Sequence, residues 1–527
     1  LLLEKESKLE KHLSGMYDFL NSDVFPHLFI ILSSAVILSC VSTWIFVNQN
    51  FHIAHFDSKG HLLVARRLFD NLNPGFKQIG AFWLPLPHFL YFPFVHSDYL
   101  YFSGLAATPL SMSCFVTTVW LFYRLTEKVF GRFAAFCSSA LYLTNPNMLY
   151  LQTTPLTENL SILFMVSSVY LFVLFFTHKQ RKYLAACSFF SVLGVFSRYE
   201  NWLVFATIGL LLIILSIKER RGARNFILDS LIFALPNLVA IGLTFWINWY
   251  TTGHYYIDIT YKRTDFQPAQ GSFFIAFLVI LYTLGNLISF DWTLFALIGA
   301  ALAMRKRFRD TEFLASLALL APFVLYLYAY QDNHPTRIRY GLPFVPAAIY
   351  FLAHWPGKSR LITFLFLLWT VNILLVGPFY KVGASELLNE SMRDSENLAI
   401  QSGLLTYLRD HDDGKLILAS MGDIAPVLYD LKLPVKRYVH EGAKPYWNDA
   451  VTYAHPETVV GWVFMSQDDR VWLKLHNDPE FHKHFALIGR GGFLELYKLN
   501  PDEKFNIQSH RPHATRDKNG RPNLPGV

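Results

Sequence analysis

The feature that most constrains this chain is a series of apolar runs, each about the length of a membrane crossing, with charge confined to the stretches between them. A hydrocarbon core of about 30 Å takes about 20 helical residues, fewer where a span is short or broken. Such runs lie near 27–48, 101–123, 133–150, 158–177, 183–197, 201–217, 226–249, 290–304, 313–330, 341–354 and 361–379. The whole sequence is 53% hydrophobic and 17% aromatic but only 16% charged, a balance that excludes a soluble domain of this length. The expected fold is a polytopic α-helical membrane protein of about 11 transmembrane helices. Segment 272–288 is also apolar. As a separate crossing it would reverse the side of the loop MRKRFRD, so it is read as re-entrant or interfacial, or as part of one long broken helix ending at 304.

The net charge of +7 points to orientation and not to an anionic partner. Lys and Arg crowd into RLTEKVFGR, THKQRKY, KERRGAR, MRKRFRD and WPGKSR, which fall on alternate connections, as cytoplasmic loops do. Residues 1–26 are then a cytoplasmic segment and the C-terminus lies outside. No cleavable signal peptide is expected ahead of the first span. Nucleic acid is not implied as a partner. Cys40, Cys114, Cys137 and Cys187 lie in or beside apolar runs and make neither a CxxC metal motif nor a disulfide framework.

After residue 380 the composition changes. SELLNESMRDSENLAIQSGLLTYLRDH reads as a helix pair, KLILAS as a strand followed by the turn MGDIAP, and VVGWVFM and FLELYKL as two more strands. Together they suggest a small extracytoplasmic α/β domain over 385–499, after a transmembrane module over 27–380. The polar, Pro-rich segment 500–527 reads as a disordered tail.

Chemistry-bearing residues collect on the side opposite the Lys- and Arg-rich loops. The first external loop, 49–100, contains FHIAHFDSKGHLLVARRLFDNL, in which Leu62, Ala65, Phe69 and Leu72 recur at helical spacing. This is an amphipathic helix lying in the membrane interface. Asp57 stands at its start, where an N-cap and a catalytic carboxylate are both consistent with the residue type. Further along, IGAFWLPLPHFLYFPF is interrupted by Pro85 and Pro87 and is rich in aromatic residues suited to the headgroup level.

An Asp opening the first external loop, the following QIGAFWLPLPH, the acid of YLQTTPLTE, the turn RYENW and the span end RYGLPFVP together resemble the GT-C superfamily of integral-membrane glycosyltransferases over about residues 27–380. That superfamily includes the polyprenyl-phosphate-sugar-dependent mannosyl- and aminoarabinosyltransferases. The resemblance implies an inverting transfer of a sugar from a polyprenyl-phosphate-linked donor to a lipid, glycan or protein hydroxyl at the extracytoplasmic face of a bacterial or archaeal inner membrane. It implies Asp57 as general base. Where many members carry a second acid beside that base, this chain has Ser58. No WWDYG-type motif of the oligosaccharyltransferases is present.

The chemistry supports the same residues. An attacking hydroxyl must lose a proton to a carboxylate, Asp57 with Glu158 as the second external acid. A departing polyprenyl phosphate needs cations, for which Arg198, Arg337, Arg339, Lys77 and Arg66 are candidates. His61, Trp83, His88, Glu200 and Tyr340 are candidate substrate contacts. Plainer readings stand beside these. Glu158 fits a helix start, Arg198 and Glu200 fit a mutual ion pair, and Arg337 and Arg339 fit interfacial anchors. His61 and His88 lack the spaced partners of a metal site. No metal is assigned, although a divalent ion could assist. A transporter or flippase of lipid-linked saccharides, and a non-catalytic lipid-glycan-binding relative, remain alternatives. The charge alternation makes one prediction by itself. Cysteines placed near residues 60, 260 and 450 should be labelled from outside intact cells, and those near 180, 221 and 306 only after permeabilisation. Labelling of 260 and 306 from the same side would overturn the topology.

Overall fold

A computed structural model describes residues 26–80, 83–255, 271–332, 334, 336–356 and 385–500. Five of its helices are long and apolar enough to cross a membrane: His27–Asn48, Glu158–His178, Glu200–Lys218, Ala223–Thr252 and Thr311–Gln331. The bent pair Phe273–Ile288 and Phe290–Arg307 makes a sixth if it is a single span. Other expected spans are helical but shifted, shortened or broken, for identifiable reasons. Gly104, at φ 81°, closes the short helix Asp98–Ser103, so the span expected at 101–123 runs instead from Thr108 to Phe130. The run 133–150 divides into Arg132–Leu143 and Pro146–Leu151. Asn145 caps the second piece through the amides of Asn147 and Met148, and Pro146 occupies its first position, where a missing N–H costs nothing. Arg181–Val195 and Phe344–Leu352 replace the runs at 183–197 and 341–354. The run 361–379 and the tail 500–527 lie, but for Asn500, outside the described residues.

The chain forms two compact units. The first is helical and takes in residues 26–52, 108–244, 271–356 as described, and 385–390. Its helix Glu158–His178 is the most enclosed of the candidate spans and packs on Thr108–Phe130 and Arg181–Val195. Polar side chains join these helices where the sequence alone suggests only apolar contact. Asn159 donates to Ser111 Oγ (3.1 Å), Asn201 donates to Ser161 Oγ (2.7 Å), and Gln152 bonds Ser39, Ser42 and Thr43. Residues 145–158, expected as an external loop, are buried throughout.

Helix Phe273–Ile288 meets Phe290–Arg307 at 117°, so the pair is sharply broken, a geometry that fits both the re-entrant piece and the long broken helix expected for 272–304. The break falls at Ser289, whose φ of 74° and ψ of 155° lie in a region that suits glycine. Such a break strands helical carbonyls, and Asn145 and Asn147 both donate to the carbonyl of Leu287, at 2.8 and 3.1 Å.

The second unit takes in residues 53–107 as described, 245–255 and 391–500. Its sheet has the order β2-β1-β3-β5-β4, from Ile417–Leu418 (β1), Tyr438–Val439 (β2), Trp462–Ser466 (β3), Phe485–Gly491 (β4) and Leu494–Leu499 (β5). β1 is parallel to β2 and β3, whereas β3–β5 and β5–β4 are antiparallel. β2 is too short to carry an alternation signal, and in β4 only Phe485 and Gly491 are buried, so neither strand stands out in the sequence. The segment MGDIAP, expected as a turn, instead opens helix Met421–Asp430, kinked at Ile424 (φ −124°) with Pro426 following. Proline tolerates this position because the kink makes it part of a new first turn.

The first loop belongs to this same unit. Helix Phe56–Arg66 packs on Met421–Asp430, with Lys59 paired to Asp430 at 2.6 Å. Asp70 receives Arg66 Nε (3.1 Å) and the backbone amides of Val435 and Lys436. The helix expected to lie in the interface is thus a largely buried element, exposing neither Leu62 nor His61. Ser289 generates a prediction. Ser289→Gly should raise the thermal midpoint by relieving strain of about 1 kcal/mol, while Ser289→Val should lower it. Equal midpoints for the two variants would show that the break is not strained.

Candidate active site

Asp57 occupies the second position of helix Phe56–Arg66, and the cap is the preceding residue: His55 Nδ1 accepts the Asp57 amide at 3.1 Å. The capping alternative for Asp57 therefore gives way. Its half-buried carboxylate stands in the first turn, where the helix dipole favours a negative charge. One turn on, Gly60 lies against Trp83; a Cβ there would come within 2.7 Å of the indole. Trp83 in turn packs on His61, with ring centroids 4.1 Å apart, and His61 Nδ1 lies 3.1 Å from His88 Nε2. Both imidazoles are buried, and in a neutral pair one ring nitrogen donates while the other accepts.

Around this group the cations differ in how far they are committed. Arg66 is engaged by Asp70, Asp98 and the Val95 carbonyl, and it packs over the rings of Phe69 and Tyr101. Its guanidinium is a strut of the fold. Lys77 is exposed, with its ammonium 5.1 Å from the centroid of the Tyr250 ring. Arg67, which no motif marks, has its pKa lowered to about 10 by burial, partly offset by Glu441. Burial, with Arg67 adding to it, also pulls the pKa of His88 and of His440 down to about 3. Neutral His440 accepts the Gly442 amide on Nδ1, and its Nε2 lies 2.8 Å from the Asn71 side-chain amide.

In the helical unit the structure brings together Glu158, Arg198, Glu200, Arg339 and Tyr340. Glu158 and Glu200 each stand in the first turn of an apolar helix, and Arg198 lies just ahead of the second. Arg198 directs Nη1 to Glu158 (2.9 Å) and to Thr157 Oγ1 (3.2 Å), and Nε and Nη2 to Glu200 (3.0 and 2.8 Å). The expected Arg198–Glu200 pair therefore exists and is extended by a second acid. Tyr326 adds a hydroxyl donated to Glu200 at 2.7 Å. Tyr326 lies in the middle of an apolar run and carried no local signal. Glu158 is fully buried, so its charge is compensated by Arg198 and by the longer 3.9 Å contact to Arg339 Nη1.

Arg339 sits in a 3₁₀ turn, Ile338–Gly341, with its guanidinium 5.0 Å from the centroid of the Tyr340 ring. The turn is seated on helix Phe273–Ile288 at Gly341, where a Cβ would come within 2.3 Å of Thr283 Cγ2. Arg337 precedes the turn in extended backbone and is half-buried. Of the two arginine contacts to Glu158, that of Arg339 is the longer, at 3.9 Å against 2.9 Å for Arg198. Among the described residues no group of three or more His, Cys, Asp or Glu side chains is placed to hold a metal ion.

A family model described as dolichyl-phosphate-mannose-protein mannosyltransferase matches residues 100–242. No curated protein sequence matches the chain. Among solved structures, ArnT from Cupriavidus metallidurans bound to undecaprenyl phosphate is similar with a TM-score of 0.59 at 12% identity, over 91% of this chain and 99% of that one. Its apo state gives 0.56 at 13% identity, over 89% and 97%. The oligosaccharyltransferase of Archaeoglobus fulgidus in the apo form gives 0.51 at 11% identity, over 92% and 76%. The fold is that of a helical integral membrane protein. It is the fold of the GT-C membrane glycosyltransferases, the superfamily that the sequence motifs resemble.

The buried imidazoles of the second unit make its stability depend on pH. Their folded pKa lies below the unfolded value of 6.5, so the unfolded chain binds the extra protons and stability falls as pH drops from about 6.5 toward 3. The loss should reach about 2 kcal/mol per imidazole at pH 5. Thermal midpoints measured between pH 7.5 and 5 should show this slope, and His440→Gln should flatten it. A slope unchanged by His440→Gln would mean that His440 is protonated in the folded protein.

Proposed function

We propose that this protein is an inverting glycosyltransferase that moves a sugar from a polyprenyl-phosphate-linked donor to an acceptor hydroxyl. The reading places it in a bacterial or archaeal inner membrane, with about eleven crossings and an extracytoplasmic site that includes residues of the first external loop. What carries the reading is the buried Arg339–Glu158–Arg198–Glu200 network, set in a fold that in ArnT is bound to undecaprenyl phosphate.

In this reaction the acceptor oxygen attacks the anomeric carbon while the bond from that carbon to the phosphate oxygen breaks. The acceptor proton passes to a carboxylate, and the polyprenyl phosphate leaves with its negative charge. Asp57 is the base. It is a half-buried carboxylate in the first turn of its helix that does not cap it, of the residue type that accepts a proton in general-base catalysis. Arg339 is the principal cation for the phosphate, because a planar guanidinium suits phosphate oxygens and its contact with Glu158 is long enough to yield. Arg198 has a different part. Held by two acids, it fixes Glu158 in place, which keeps Arg339 from being the sole cation beside a buried carboxylate. Lys77 and Arg337 are secondary cations, and Tyr340, His61, Trp83, His88 and Glu200 are candidate substrate contacts. Arg66 is left out, because its guanidinium is already committed to two acids and a carbonyl.

Transfer from a panel of polyprenyl-phosphate sugars in reconstituted vesicles tests the assignment. Asp57→Asn should lower turnover by a factor of about 10²–10⁴ with little change in thermal midpoint, because His55 supplies the cap. Arg339→Ala should weaken undecaprenyl phosphate binding by about 1.5–3 kcal/mol. Near-normal transfer by Asp57→Asn would remove Asp57 from the mechanism, and saccharide translocation without transfer would favour a transporter.

A further inference from the structure

The turn that carries Arg339 is supported from two directions, and one buried side chain meets both supports. On one side is helix Phe273–Ile288, against which Gly341 packs with no space for a side chain: a Cβ would lie 2.3 Å from Thr283 Cγ2 and 2.8 Å from Leu287 Cδ1. On the other is the first turn of helix Glu386–Ala399, whose Glu390 Oε2 accepts the Ile338 amide at 2.8 Å. Asn147 bonds to both. Its Nδ2 donates to the Leu287 carbonyl (3.1 Å), and its Oδ1 accepts the Leu387 amide (3.0 Å) and the Ser385 hydroxyl (3.1 Å). Asn147, Ser385, Leu287 and Leu387 are all buried, so water does not replace these bonds.

The geometry points to Asn147 as the positioning residue for Arg339, the inference resting on the assignment of Arg339 to the donor phosphate. An asparagine is suited to this place. It offers a donor and an acceptor on one short, rigid side chain, so the broken helix and the start of the C-terminal helix are fixed relative to one another, and the 3₁₀ turn to both. Aspartate would keep the acceptor but present an oxygen to the Leu287 carbonyl, and alanine would release both elements. Asn145 also donates to Leu287, but its Oδ1 is turned back to its own helix start, so it holds only one of the two. Asn147 touches neither Arg339 nor Tyr340 in any described contact, so its influence on a ligand passes through the turn.

The experiment combines amide hydrogen exchange with undecaprenyl phosphate binding, on the full chain in lipid nanodiscs. In Asn147→Ala the amides of Ile338 and Leu342 should exchange at least tenfold faster than in the unaltered protein, and undecaprenyl phosphate should bind about tenfold more weakly. In an Arg339→Ala background the same change should add little further weakening, because coupled residues are not additive. If Asn147→Ala does not fold, Asn147→Asp, which keeps the Leu387 and Ser385 bonds, serves in its place with the same directions expected. Unchanged exchange at Ile338 and Leu342 would overturn the inference, as would an equal loss of binding in both backgrounds. Were Arg339→Ala to leave undecaprenyl phosphate binding unaltered, the donor assignment would fail, whereas the positioning of the turn would still be decided by hydrogen exchange.

Discussion

The helical unit depends on one constraint: in the hydrocarbon layer water does not satisfy a backbone group, so any departure from a straight helix must bring its own partners. The chain departs sharply at Ser289, where two helices meet at 117°. The carbonyl of Leu287 is met by two asparagines from a segment 140 and 142 positions earlier. That segment is itself a break, with Asn145 capping a short helix that opens on Pro146. Each interruption supplies hydrogen-bond partners to the other. Residues 145–158, rich in Asn, Gln, Thr and Pro, are buried because their polar groups are satisfied without solvent, Asn145, Asn147 and Gln152 by other helices and Thr153 and Thr154 by carbonyls of their own segment.

The same logic governs charge. Two carboxylates and two guanidiniums at low exposure would destabilise the fold unless matched, and the match here is graded. Arg198 is bound on every nitrogen, Glu200 is shared between Arg198 and Tyr326, and Glu158 lies between a close cation and a distant one. A network of this kind holds its members rigidly where bonds are short and leaves latitude where they are long. The latitude falls at Arg339, which also packs over Tyr340. A guanidinium stacked on an aromatic ring keeps its plane while its edge can exchange one anion for another.

Much of this was legible in the sequence, and what was not has a physical cause. Apolar runs announced the long helices, because burial in lipid demands about 20 apolar residues in succession. Glu158, Arg198, Glu200 and Arg339 were each marked by their position at span ends, and only the pairing of Arg198 with Glu200 was expected among them. The strands at 417, 462 and 494 carried apolar alternation or enrichment, whereas β2, only Tyr438–Val439, and β4 did not. Asp57 was ambiguous because Asp is a common cap; that His55 takes the role depends on the orientation of an imidazole, which residue type does not dictate. Tyr326 and Asn147 escaped notice because each finds its partners more than a hundred residues away, and no local pattern marks a long-range hydrogen bond.

The second unit is assembled from segments far apart in the sequence, and this bears on how the protein is made. Lys59, Asn71 and Gln78 find their partners 371, 369 and 364 residues later. At a synthesis rate of about 5–20 residues per second, the first loop waits about 20–70 seconds after emerging before the strand and helix that complete it exist. Throughout that interval Lys59, Asn71 and Gln78 stay hydrated or bound to something else. Insertion of the intervening helices must therefore be nearly finished before this unit acquires a core, which makes it the last part of the protein to fold and the part most dependent on the chain having been threaded correctly.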